Sequence, residues 1–356
     1  MQEEKFSNKV NTRKLAPIGL AFAFLGLVLF AYFVRKAGLS EILAGINRLG
    51  VAFVLILAIS AVRQLVRSLA WTKCFEPPYH LPFRDAVAAR LMGDALGNII
   101  PVASIAVSEP SKAVFVRHRV PLMAGLSALA LENIFYSLSV IIFVFAGAMA
   151  LLLSFPLPKP LRYASFGALA ATSLVACTGY LIIRKQWKFI SGALGFLQKL
   201  GLAPVLMGRA VPRAQTLEER VYGFYDRNRG RLLPIFGLEC CFHVAGVTEV
   251  FTTLSFISET VAPTILTAFI LESVNRIINM TFKFVPLRTG VDEAGTGMLS
   301  KVLGFTTAIG VTLAIIRKGR DIFWVMIGVV LILRRGWSIK ALVSGAEARR
   351  EQATEG

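Results

Sequence analysis

Nine ionisable residues stand out because each interrupts a largely apolar stretch: Arg90, Lys112, Arg276, Lys283, Arg288 and Arg317 are cationic, and Glu109, Glu132 and Glu293 are acidic. Guanidinium and ammonium groups gathered in one place can hold a phosphate, arginine by two parallel hydrogen bonds and lysine as a point charge. The carboxylates, with Glu272, can neutralise those cations, receive a cationic group or exchange protons. A charged side chain deep in a bilayer costs roughly a few kcal/mol, so several together imply a shared polar cavity or mutual pairing. The bland alternative is a set of structural ion pairs that hold interrupted helices together.

Other chemistries find less support. Cys74, Cys177, Cys240 and Cys241, with His80, His118 and His243, lack the paired spacing of a zinc or redox site. The nearest grouping, "ECCFH" over 239–243, reads more simply as apolar packing with a polar tip inside a helix. No nucleophile–base pair, acidic metal cluster or phosphate-gripping glycine-lysine loop is visible, so the expectation is no catalytic residue, no metal and no cofactor. The excess of 39 Lys and Arg over 21 Asp and Glu gives +18. No recognition module accompanies it, so nucleic acid is not an expected partner, and basic loops on the cytoplasmic side of a membrane explain the charge.

The elements that must position these groups are membrane helices. The chain has 356 residues, 55% of them hydrophobic, and only 17% charged, against a globular average of about 25%; its mean hydropathy is +0.65. Apolar runs at 16–34, 51–71, about 121–154, about 161–183, 232–257, about 302–317 and 320–334 approach or exceed the roughly 20 residues that cross the hydrocarbon core. The first is expected to be a retained span, not a cleaved leader. Lys5, Lys9, Arg13 and Lys14 precede it, which places the N-terminus in the cytoplasm. Arg63 and Arg67, four apart in a helix, are expected to snorkel toward lipid phosphates.

Between these runs lie two shorter, interrupted segments. "AVAARLMGDALGNII" (86–100) is followed by Pro101, and "APTILTAFILESVNRIINMTFKFV" (262–285) is followed by "PLRTGVDEAG". Setting Pro101 on Pro286 brings Arg90 near Arg276, Asp94 onto Asn279, Asn98 onto Lys283, Glu109 near Glu293, and Glu132 onto Arg317. Asp94, Asn98, Pro101, Asn279, Pro286 and Gly290 are therefore the expected helix breaks. Glycines there let backbone come close to a ligand, and freed helix N-termini offer N–H groups to an anion.

The fold class that follows is all-α and polytopic, with about seven to eight transmembrane helices and two re-entrant broken elements in an inverted repeat. A single membrane domain over 1–356 divides into a first unit with its leading span (16–183), a basic cytoplasmic connector carrying an amphipathic helix (184–231), a second unit (232–335) and a polar tail (336–356).

The motifs "NIIPVASIAVSEPSKAVFV" with "ALALEN" (128–133), and "VPLRTGVDEAG" with "LGFTTAIGVTLAIIRK" (303–318), resemble the flippase-like membrane family typified by the transmembrane domain of lysylphosphatidylglycerol synthases. Ser108, Lys112, Asn133 and Arg288-Thr289 depart from the pattern, which bears on the ligand more than on the fold. The resemblance implies a stand-alone translocator in the plasma membrane that moves a phospholipid or lipid-linked headgroup without synthesising it. It implies membrane lipids with a phosphate-bearing headgroup as partners, and admits a homo-oligomer or lipid-synthesis enzymes as others. The alternatives are a membrane-embedded enzyme with Glu109 or Glu293 as base, or a scaffold for lipid-modifying enzymes.

Overall fold

A computed structural model describes residues 39–99, 104–199, 204–259, 261–282, 285 and 288–335, with Tyr32 and Arg35 also helical. The leading span expected over 16–34, apart from Tyr32, lies outside the described residues, as do Pro101, Lys283, Pro286 and the tail 336–356.

Every regular element among the described residues is a helix. Helix α1 (Leu39–Leu49) passes through a 3₁₀ turn into α2 (Phe53–Lys73), and α3 (Phe83–Ile99) and α4 (Ser104–Phe115) form a short pair. Two long helices follow, α5 (Leu122–Ser154) and α6 (Lys159–Arg184), then α7 (Phe189–Lys199) and α8 (Pro204–Arg227) in the connector. The chain returns through α9 (Arg229–Ile257), a second short pair α10 (Ile265–Thr281) and α11 (Val291–Val302), and a closing α12 (Thr307–Arg334). Ile42–Lys73, Leu122–Ser154, Lys159–Ile182 and Arg229–Ile257 are long and apolar enough to cross a membrane.

The duplication is visible in the lengths. Helices of 17, 12 and 33 residues (α3 to α5) are answered by helices of 17, 12 and 28 (α10 to α12). Packing is reciprocal: α3 lies on α12, α10 lies on α5, and the two lead-in helices α2 and α9 pack on each other. The α2–α9 pair is antiparallel, because Arg48, Arg63, Arg67 and Phe75 along one chain direction meet Glu259, Glu249, Glu239 and Arg231 along the other.

Hydrophobic burial is concentrated at the two ends of the bundle. One core gathers Trp71, Phe75, Ala86, Met92, Phe115, Phe224, Ile235 and Ile332. At that end the outer termini of α3 and α4 meet, Arg119 on Asp85 at 3.0 Å, and Arg335 reaches the Phe115 carbonyl at 3.2 Å. The other core gathers Leu49, Ile56, Leu151, Leu254, Ile257, Leu271, Leu299, Phe305 and Leu313, so α10 and α11 open toward the opposite end. The outer termini of each short pair therefore lie at its own end of the bundle, as an inverted repeat requires.

Two readings of the sequence change. The segments 302–317 and 320–334 are joined in one helix, α12, from Thr307 onward, because Arg317, Lys318, Arg320 and Asp321 are all paired inside the bundle and do not mark a loop. Pro110, within the stretch read as a break after Pro101, sits inside α4, which continues to Phe115 at the cost of one backbone hydrogen bond.

Candidate functional site

Between the two apolar cores lies a layer of buried charge, and the α2–α9 pair is its spine. In the half built on α2, α9, α10 and α12, Glu272 is the hub: its carboxylate faces Arg63 at 3.3 Å, Arg317 at 3.2 Å and Arg276 one turn along α10. Glu249 pairs with Arg63 at 3.0 Å and with Arg320. Arg320 also holds Asp321 at 2.7 Å, and Asp321 holds Arg288 at 3.0 Å. Arg288 returns to Asp292 at 3.1 Å, and Lys318 pairs with Glu293.

In the other half the hub is Glu132 on α5, fully buried. Its Oε1 accepts from Arg67 at 2.7 Å and from Arg90 at 2.8 Å. Arg90 also donates to the Arg67 carbonyl at 3.2 Å, which fixes both guanidiniums relative to α2. Lys112 bridges Asp94 at 2.9 Å and Glu109 at 2.8 Å, and Asn133 donates to Glu109 at 2.9 Å. Glu239, from α9, is fully buried with Arg67 Nε 3.7 Å away. The Phe242 ring lies between the halves, with Arg63, Arg276 and Arg67 at 4.6, 4.8 and 5.7 Å from its centroid; the ring's negative face favours all three cations.

Counting charges separates the halves. Among the described residues, the Glu272 half sets six cations (Arg63, Arg276, Arg288, Arg317, Lys318, Arg320) against five carboxylates (Glu249, Glu272, Asp292, Glu293, Asp321). The Glu132 half sets three cations (Arg67, Arg90, Lys112) against four carboxylates (Asp94, Glu109, Glu132, Glu239). Several buried atoms in this layer have no hydrogen-bond partner: Arg90 Nε, Arg276 Nε, Arg317 Nη1, Glu132 Oε2 and both oxygens of Glu239.

Of the residues expected from sequence, Arg90 and Glu132 are brought together directly, as are Glu109, Lys112 and Asp94, and Arg276 and Arg317 share Glu272. Arg288 and Glu293 sit at the turn into α11 and reach α12. Asn98 is exposed and donates to the Asp94 carbonyl at 2.9 Å, whereas Asn279 Oδ1 is buried without a partner. Gly290, with φ of 83°, is the residue before α11, and its N–H donates to Glu293 at 2.8 Å. The N-terminus of α11 thus carries its own carboxylates, Asp292 and Glu293, where an external anion was expected; the positive end of the helix dipole is satisfied from within.

Arg63 and Arg67 correct the sequence reading outright. Both are turned into the bundle and paired with carboxylates, so neither snorkels to the lipid surface. Glu239, Glu249, Arg320 and Asp321 were not singled out from sequence, although a lone carboxylate in an apolar helix is itself a signal that a partner must exist. His243 matches its bland reading: Nε2 lies 3.0 Å from Ser139 Oγ and the ring stacks on Phe143 at 4.5 Å. The four cysteines are free thiols, and among the described residues no group of His, Cys, Asp and Glu is placed to hold a metal.

Alongside the charged layer runs an apolar groove of about 570 Å³ between α5, α9 and α10. Ile142, Phe143, Phe236, Val247, Ile265 and Phe269 line it, with His243 and Ser139 as its polar exceptions. Phe242, the neighbour of His243 on α9, lies against Arg63 and Arg276, so the α9 backbone separates the groove from the charge.

No curated protein and no solved structure matches the chain. A family model does, and it spans the whole reciprocal bundle from before α1 to near the end of α12. With residues 17–329 matched, the chain belongs to the family described as the lysylphosphatidylglycerol synthase transmembrane region.

Proposed function

We propose that the protein is a lipid translocator, which passes an anionic, phosphate-bearing headgroup through the charged layer while the acyl chains stay in the bilayer. The observation that carries this reading is the pair of buried N–H groups, Arg276 Nε and Arg317 Nη1, that lack an acceptor, beside an excess of one cation among the described residues of the Glu272 half. An entering phosphate supplies both a charge and acceptors, and arginine forks suit it. Leaving such groups unsatisfied in a purely structural network costs roughly 1–3 kcal/mol each, which a translocation site offsets only when occupied.

Orientation follows from the same bundle. The end bearing Lys73, Arg117, Arg119, Arg227, Arg231, Arg334 and Arg335 is the basic one and belongs in the cytoplasm of a plasma-membrane protein. With α12 as one helix, its C-terminal arginines and the basic connector share that side, and a cytoplasmic N-terminus agrees with both. The α3–α4 pair then enters from the cytoplasm and α10–α11 from outside, the geometry of alternating access.

The test is a dithionite-quench assay in proteoliposomes with fluorescent anionic, zwitterionic and cationic lipids. Arg276→Ala and Arg317→Ala are each expected to abolish the difference between anionic and zwitterionic lipids. Equal quenching of all lipids by wild type and empty liposomes would sink the proposal.

A further inference from the structure

The proposed translocation has no visible energy source, and the Glu132 half of the charged layer supplies one. Glu132 and Glu239 are both fully buried, on α5 and α9, and both approach Arg67, whose Nη2 lies 2.7 Å from Glu132 Oε1 and whose Nε lies 3.7 Å from Glu239 Oε2. All the guanidinium contacts of Glu132 fall on Oε1, which leaves Oε2 without a partner, and neither oxygen of Glu239 has one. Two ionised carboxylates offer only acceptors, so neither can satisfy the other until one carries a proton. Lys112 is taken by Asp94 and Glu109, so among the described residues no cation approaches Glu239 more closely than Arg67 Nε at 3.7 Å. An uncompensated charge at this depth is far costlier than a neutral carboxyl.

We infer that the Glu132–Glu239 pair is a binding site for one exchangeable proton, taken up on Glu239 and shared with Glu132 Oε2. The groups that face it are Arg67 and Cys74 from α2, Arg90 from α3, and Tyr136 along α5; Glu109 from α4 acts at longer range, through Asn133. Arg67 and Arg90 make their short contacts with Glu132 Oε1, which leaves Glu239, 3.7 Å from Arg67 Nε, as the proton's home. Protonation moves one H⁺ from water to a carboxylate oxygen and involves no other reactant. Its use rests on the translocator reading, in which one half of the layer binds a proton and the other binds an anion.

Two isosteric variants separate this site from an ordinary ion pair. Glu239→Gln copies the protonated form and is expected to keep wild-type thermal stability in detergent. Glu132→Gln strands Arg67 and Arg90 and is expected to lower that stability clearly. In infrared difference spectra across a pH titration, wild type is expected to show one protonated-carboxyl C=O band that Glu239→Gln lacks. If Glu239→Gln destabilises as much as Glu132→Gln, and no carboxyl band distinguishes it from wild type, Glu239 is an ionised partner of Arg67 and the proton site does not exist. The spectra need no lipid substrate, so a band that is present while no lipid moves would uphold the proton site and sink the translocator reading alone.

Discussion

Glu272→Gln removes one charge and almost no volume from the point where three arginines converge. Arg63 keeps Glu249 at 3.0 Å, but among the described residues Arg276 and Arg317 have no other ion-pair partner. Breaking a buried pair by removing one partner costs about 3–5 kcal/mol, because the other charge stays buried and uncompensated. Here two guanidiniums are orphaned at once and the half-layer moves from one excess cation to two, so the upper part of that range applies. It corresponds to roughly a thousandfold in the folding equilibrium. Thermal stability in detergent, followed by size-exclusion chromatography, reads the loss directly. Adding Arg276→Gln removes one of the orphans, so the double variant is expected to be more stable than Glu272→Gln alone. Being buried, the network is weakly screened, and the loss should persist in high salt. A Glu272→Gln protein as stable as wild type, with no gain on adding Arg276→Gln, would refute the claim that this carboxylate holds the helices together.

Gly246 on α9 faces the same carboxylate, and a Cβ placed there would stand 2.7 Å from Glu272 Oε1. Gly246→Ala is therefore expected to displace the hub and destabilise by about 1–3 kcal/mol, and to be less than additive with Glu272→Gln in a double-mutant cycle. At the basic end, Glu76 bonds Arg227 at 2.9 Å and Asn228 at 2.6 Å, tying the turn after α2 to the connector. The Arg227 hydrogen bond, with Asn228, holds the Glu76 carboxyl below its ordinary value of 4.5. A depressed carboxylate contributes its stability above the unfolded pKa and loses it as pH falls through the folded one. Limited proteolysis of the connector should therefore accelerate in acid below that ordinary value, and Glu76→Gln should be cleaved readily at neutral pH as well.

The long helices over 51–71, 121–154, 161–183 and 232–257 were legible because their apolar runs exceed what a water-soluble chain tolerates, whereas the breaks expected at Pro101 and Pro286 lie outside the described residues. What misled was counting every charge as a contact with water. Arg317, Lys318 and Arg320 looked like the edge of a span, and Arg63 and Arg67 like snorkelling cations, because their carboxylate partners lie far away in sequence on α9, α10 and α11. Glu239 and Glu249 gave the missing clue: they are the two acids of one helix, α9, otherwise apolar enough to span, and such residues need cations opposite. Antiparallel pairing of α2 with α9 then matches Arg63 to Glu249 and Arg67 to Glu239. That register is a tertiary fact, and periodicity along one helix does not contain it.

The coincidence of helix breaks with buried charge has one physical cause. Irregular backbone in the membrane survives only where protein satisfies it, and at the turn into α11 the satisfying groups are the carboxylates of the charged layer. Glu293 accepts from the Gly290 N–H while also pairing with Lys318 on α12. Arg288, held at φ of 50° where a non-glycine residue is disfavoured, is tied to Asp292 and Asp321. The same acids thus fix the break and neutralise α12, which couples the position of the short helix pair to the ionic state of the layer. An anion arriving at Arg276 and Arg317 competes with Glu272, and Glu272 shares Arg63 with Glu249 across the α2–α9 spine. On the proposed reading, binding in one half therefore disturbs the ion pairs across the α2–α9 spine.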